Sequence, residues 1–165
     1  RYLYVTGRFK SLLISSDGEK YSPEGFEDSL ADGSKYIEAS VLYNNQSPYT
    51  VVLVVPNKPA LADAVQKQGF DPQSVEGRKA QLQILQGEVD SYRPGGRHAG
   101  LFPEKWLPAA IIVCDTPFTE QNGMLNTTAK MVRGKVEKFY ADRIEYAMTP
   151  EGKQLFNDRN LKSLE

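Results

Sequence analysis

Apolar residues along the chain fall in short blocks divided by turn residues, and the blocks differ in period. Tyr2 to Thr6 and Phe9 to Ser15 read as strands, with Gly7-Arg8 between them. Within the second, Leu12-Leu13-Ile14 is a continuous apolar run of the kind a buried strand shows. Ser16-Asp17-Gly18 predicts a tight turn, because Asp-Gly supplies the positive φ that a hairpin needs. Ser22-Pro23-Glu24 predicts a helix start with Ser22 as cap, running from Pro23 to Leu30 and stopping at Asp32-Gly33.

Tyr36 to Tyr43 and Tyr49 to Val55 read as a second strand pair around Asn44-Asn45-Gln46-Ser47-Pro48. Val51 to Val55 is apolar at every position, which predicts a strand covered on both faces. A helix is expected from Pro59 to Gln68, closed by Gly69, and a second over Val75 to Tyr92, where Leu82, Leu85, Val89 and Tyr92 share one face. Arg93 to Arg97 breaks the pattern. Ala109 to Cys114 reads as a buried strand, and Thr116 to Lys130 as a polar loop turning at Asn122-Gly123. Val132, Val136, Phe139, Tyr140 and Ile144 predict one long helix, and a short helix is expected after Thr149-Pro150. The order β-β-α-β-β-α-α-β-α predicts an α+β fold: an N-terminal hairpin plus a three-stranded sheet flanked by helices.

Composition narrows the function. The 165 residues carry a formal net charge of −1, which argues against a nucleic-acid-binding domain. No stretch of roughly 18 apolar residues predicts a transmembrane segment. One cysteine and one histidine cannot build a thiolate or His-rich metal cluster, so no metal site is expected within the chain. Cys114 reads as a buried core thiol, His98 as a surface histidine, and Tyr2, Tyr4 and Phe9 as hairpin packing rather than a base-stacking platform. A cytoplasmic origin is the expectation. The start at Arg1 within strand-like sequence suggests a piece of a larger protein, and Leu164-Glu165 reads as a cloning remnant.

Two segments carry more. Gly7-Arg8-Phe9-Lys10, the apolar strand Leu12 to Ile14, the turn at Gly18 and the Pro23-started helix reaching Glu27 resemble the hinge segment of adenylate-forming enzymes. These are the acyl-CoA synthetases, luciferases and peptide-synthetase adenylation domains. Asn122-Gly123-Met124-Leu125-Asn126-Thr127-Thr128-Ala129-Lys130-Met131-Val132-Arg133 resembles their closing segment, which in long-chain acyl-CoA synthetases runs Asn-Gly-Leu-Leu-Thr-Pro-Thr-x-Lys-x-x-Arg. Asn126 and Thr127 depart from it; Lys130 does not.

The resemblance implies a single C-terminal lid domain over residues 1–165, belonging to a long-chain fatty acid–CoA ligase. Such an enzyme activates a fatty acid with ATP to acyl-AMP and transfers the acyl group to CoA. By the same resemblance, Lys130 is the catalytic cation of adenylation, Lys10 the hinge and Arg8 a nucleotide contact. Ser15, Ser16, Asp17, Gly18 and Glu19 form the loop serving the thioester step. Without it the residues read more plainly: Lys10 as a solvated strand-edge cation, Arg8 as a surface ion-pair partner, Gly18 as a hairpin glycine. ATP and Mg would be held mainly by the enzyme's own N-terminal domain, with CoA as co-substrate, so this piece alone is expected to be inactive. An acyl-carrier-protein synthetase and a non-catalytic α+β binding module are the alternatives, and peripheral membrane association of the full enzyme is left open.

Overall fold

The computed structural model describes residues 12–164, so Arg8, Lys10 and the aromatic residues Tyr2, Tyr4 and Phe9 lie outside the described part. β1 (Leu13–Ile14) and β2 (Lys20–Tyr21) pair antiparallel, with Leu13 opposite Tyr21 and Ile14 opposite Lys20. The Asp-Gly turn forms as its residue types require. Gly18 sits at φ 88°, its N–H donates to the Ser15 carbonyl at 3.0 Å, and the Ser15 N–H donates to the Glu19 carbonyl at 2.8 Å.

β3 (Ile37–Tyr43), β4 (Val51–Pro56) and β5 (Ala110–Val113) form one mixed sheet in the order β3-β4-β5. β4 pairs antiparallel with β3 and parallel with β5, and every β4 residue is buried, as its unbroken apolar run predicts. The return to a parallel strand requires a long crossover, supplied by α2 (Lys58–Lys67), α3 (Val75–Asp90) and the segment 91–109. The hairpin joins the sheet just beyond β3: the Ile14 N–H donates to the Asn44 carbonyl at 3.1 Å, and the Gln46 N–H to the Ile14 carbonyl at 2.7 Å.

Side-chain alternation along the strands divides the core in two. Leu42, Val52, Val54, Ile111 and Val113 face α3, Leu61 of α2 and the helix α1 (Glu24–Gly33), which contributes Phe26 and Leu30. Val41, Val51, Leu53, Val55, Ala110 and Ile112 face Met124 and two further helices, α4 (Arg133–Phe139) and α5 (Ala141–Ala147). Cys114 lies in this second layer, 2% exposed, so the reading of a core thiol holds.

Three local expectations are corrected. Ser22 does not cap α1: Pro23 occupies the cap position, and its carbonyl takes the Glu27 N–H at 3.0 Å, leaving Ser22 one residue too early. The single long helix beyond Val132 is two helices meeting at Tyr140, which departs from helical geometry at φ −103° and ψ 20°. The Tyr140 hydroxyl donates to the Thr116 carbonyl at 2.7 Å and accepts from the Thr116 N–H at 3.1 Å, so a tertiary contact redirects the chain there. After the expected short helix α6 (Pro150–Lys153), capped by Thr149, comes α7 (Asp158–Ser163), capped by Asn157, which the apolar pattern does not predict.

α7 has a structural purpose. The Asn160 side chain is 1% exposed and bonds the outer side of β5. Its Oδ1 accepts from the Val113 N–H at 3.0 Å, and its Nδ2 donates to the Ile111 carbonyl at 2.9 Å. One amide thereby satisfies backbone groups that a fourth strand would otherwise take. Leu164 follows, 3% exposed within the first core layer.

Candidate functional site

Lys130 lies on a tight loop between Leu125 and Met131, which pair across it as an antiparallel bridge. Asn126 organises that loop. Its Oδ1 accepts from the Thr128 N–H at 2.9 Å, the Thr128 hydroxyl at 2.8 Å and the Lys130 N–H at 3.0 Å. Its own N–H donates to the Lys130 carbonyl at 2.8 Å, closing the ring, and Ala129 takes the left-handed conformation at φ 62°. The backbone of Lys130 is therefore fixed while its side chain stays exposed. A residue that departs from the long-chain pattern thus supplies the loop's main acceptor.

Lys130 and Met131 line a cleft of ≈ 490 Å³ together with Glu24, Glu27, Asp28 and Arg133. Glu27 and Arg133 form a bidentate pair within it: Nη2 to Oε1 at 2.7 Å and Nη1 to Oε2 at 2.8 Å. Their side chains are only 6% and 15% exposed. Glu27 Oε2 also accepts the Leu42 N–H at 2.6 Å, and Arg133 reaches the Leu42 carbonyl at 3.3 Å, so the pair grips β3 as well. The first segment ends on Glu27 and the second on Arg133, yet sequence reasoning assigned neither a role. Their position closing both segments was the available signal.

The Ser15–Glu19 turn does not line that cleft. Its Asp17 carboxylate accepts from the Ser15 hydroxyl and from the Glu19 N–H at 3.0 Å, and these bonds, the hydroxyl's first, hold its pKa below the ordinary aspartate value. Ser16 is exposed at the turn's tip. Glu19 pairs with Lys105, and that bond holds the lysine's pKa above its usual value. Beside it, Trp106 stacks on Tyr21 at 5.2 Å with an 18° tilt. Phe102 packs edge-on to Phe26 at 5.6 Å. The segment from Arg93 to Trp106, opaque in the sequence, thus braces the hairpin and α1. His98 is half-buried rather than a free surface residue: its ring stacks on Tyr92 at 5.0 Å.

Among the described residues no group of three or more Cys, His, Asp and Glu side chains is arranged to hold a metal ion, and no helix is long and apolar enough to cross a membrane. Arg8 and Lys10 lie outside the described residues, so the structure brings together Lys130 and Arg133 from the second segment with Glu27 from the first.

No family model matches the chain. It is 28% identical over 149 residues to a carboxylic acid reductase of Mycobacterium tuberculosis, spanning 90% of this chain and 11% of that protein. It is 24% identical over 163 residues to the long-chain-fatty-acid–CoA ligase ACSBG2 of Xenopus laevis, spanning 87% of this chain and 21% of the ligase. In structure it resembles the A domain of the carboxylic acid reductase from Segniliparus rugosus, in complex with AMP and a co-purified carboxylic acid. That likeness has a TM-score of 0.60 at 26% identity and covers 82% of this chain and 19% of the other. The chain thus spans about a tenth to a fifth of the length of the relatives it matches.

Proposed function

We propose that this chain, which belongs to the adenylate-forming superfamily of its relatives, is the C-terminal lid of an enzyme that joins a carboxylic acid to a thiol through acyl-AMP. The observation that carries the reading is the Lys130 loop. A lysine at the matched position of the closing segment has its backbone pinned by Asn126 and its ammonium left free for a ligand outside the domain.

In the first step a carboxylate oxygen attacks the α-phosphorus of ATP and pyrophosphate departs. Negative charge builds on the α-phosphoryl oxygens and the leaving group, where a positioned ammonium is worth most. Lys130 has that role. In the second step the thiol sulfur attacks the acyl carbonyl and AMP departs, with the Ser15–Glu19 turn facing the thiol's approach. Lys10 is the hinge between the two arrangements and Arg8 a nucleotide contact. ATP and Mg are bound chiefly by the rest of the enzyme, which we place in the cytoplasm.

Within this class, a long-chain fatty acid with CoA as acceptor is the first reading, supported by the Asn122–Arg133 segment and by the similarity to ACSBG2. Similarity to carboxylic acid reductases, one of them solved as an A-PCP didomain in complex with AMP, supports a second, in which the thiol is borne on a carrier domain. Assaying the full-length enzyme with a series of fatty acids, and with CoA against a pantetheine-bearing carrier, separates them. Lys130→Ala in that enzyme should slow ATP–pyrophosphate exchange by roughly 10²–10³-fold and spare thioester formation from supplied acyl-AMP. Equal losses in both half-reactions would refute the role given to Lys130.

A further inference from the structure

Away from both segments, Asp115, Arg143 of α5 and Arg159, Lys162 and Ser163 of α7 line a cleft of ≈ 360 Å³. Three cations face one acid there, on a chain whose net charge is −1. None of the three has a carboxylate within ion-pair distance among the described residues.

Arg143 is the informative member. It is half-buried, and burial weakens its hold on its proton; Asp115 opposes this, and the neighbouring Arg159 charge adds a smaller push in the same direction as burial. Its hydrogen bonds go to neutral acceptors: Nη1 to Ser163 Oγ at 3.1 Å and Nη2 to Asn160 Oδ1 at 3.0 Å. Two nearby groups that could carry negative charge do not. Burial pushes the Cys114 thiol up to about 12 and the Tyr140 hydroxyl above its usual range, so both are neutral at pH 7. Asp115 is exposed. The Arg159 guanidinium lies over the Tyr146 ring at 4.6 Å, which holds it beside α5.

A half-buried cation with no carboxylate within ion-pair distance is costly, and an entering anion would offset that cost. Two guanidinium forks and an ammonium make a donor set suited to phosphoryl oxygens, and the cleft's excess of two positive charges equals the charge of a dianion. We propose that this cleft binds a phosphate dianion through Arg143, Arg159 and Lys162. The two sources of such a group are free inorganic phosphate and a phosphate monoester on a larger ligand, for which the 3′-phosphate of CoA is the probe. Neither resembling segment contains these residues, so the site stands apart from the adenylation reading.

The test is calorimetric titration of the full-length protein at constant ionic strength with inorganic phosphate, CoA and dephospho-CoA, up to ~10 mM. Arg159→Gln/Lys162→Gln alters only exposed side chains, and its melting temperature reports whether the fold survives. Saturable phosphate binding, unaffected by chloride and weakened about tenfold or more in the double variant, is expected. If CoA outbinds dephospho-CoA in the wild type but not in the variant, the phosphate is a monoester carried on a larger ligand. If they bind alike while inorganic phosphate binds, it is free. No saturable binding by any probe, or equal binding by the variant, would overturn the proposal.

Discussion

The carboxylate of Glu27 and the guanidinium of Arg133 meet at 2.7 and 2.8 Å although 106 positions separate them in the chain. The pair ties the start of α1 to the start of α4 and, through the Leu42 backbone, ties both to β3. Lys130 sits three residues before Arg133, so the loop's anchorage and the hairpin-to-helix segment share one clamp.

Arg133→Leu should leave the Glu27 carboxylate buried with only the Leu42 N–H, at a cost of about 3–5 kcal/mol. Arg133→Lys should recover little, since an ammonium cannot reproduce two parallel N–H bonds. Denaturant unfolding of the single variants and of Glu27→Gln/Arg133→Leu checks this. The double variant should lose less than the sum of the singles.

Asn126→Ala removes the acceptor shared by Thr128 and Lys130 and should loosen the loop at a cost on the order of 1–2 kcal/mol. In the full-length enzyme the role proposed for Lys130 makes its position matter in the first step alone, so adenylation should fall about tenfold while use of supplied acyl-AMP is unchanged. Asn126→Asp keeps the acceptor and should restore most of the rate. Equal rates in Asn126→Ala and wild type would separate loop order from catalysis.

Gly18 needs its positive φ, yet the space beside it is open: a Cβ at this position would meet no atom within 4 Å. Gly18→Ala should therefore cost about 1 kcal/mol from backbone strain, and Gly18→Leu no more than that within this domain. Thermal melts of the two variants should coincide. A thioester step that suffers more with Leu than with Ala then reports crowding by something outside the domain.

Burial raises the pKa of Glu137, with Arg133 opposing and Glu27 adding to the rise. A carboxyl raised in the folded state binds more protons there than in the unfolded chain, so its contribution to stability falls as pH climbs. The loss starts near the ordinary value of 4.5 and is complete above the folded-state value. Glu137→Gln should therefore raise the melting temperature at pH 7 and have little effect near pH 3.

Much of this architecture was readable in residue types. The apolar run Val51–Val55 and the Asp17-Gly18 turn each act locally, and local rules placed the central strand and the hairpin. The break at Tyr140 was not readable, because its cause is a hydroxyl bonded to Thr116 in a distant segment. α7 is illegible for a similar reason: its buried members, Asn160 and Ser163, are both polar, and no hydrophobic period marks them. At the site, the resemblance singled out Lys130. It did not reveal that Asn126 holds the loop or that Lys105 faces Glu19, since both depend on which neighbours the fold supplies.

Asn160 has a consequence for behaviour in concentrated solution. β5 is the outermost strand on its side of the sheet, apolar throughout, and it would offer Ile111 and Val113 backbone groups to any extended chain that came alongside. The amide of Asn160 fills those positions without being a strand itself. α7 therefore acts as a guard against sheet extension between molecules. Detaching it would convert a closed edge into a template for self-association, so exposure of β5 would be felt first as loss of solubility rather than as loss of shape.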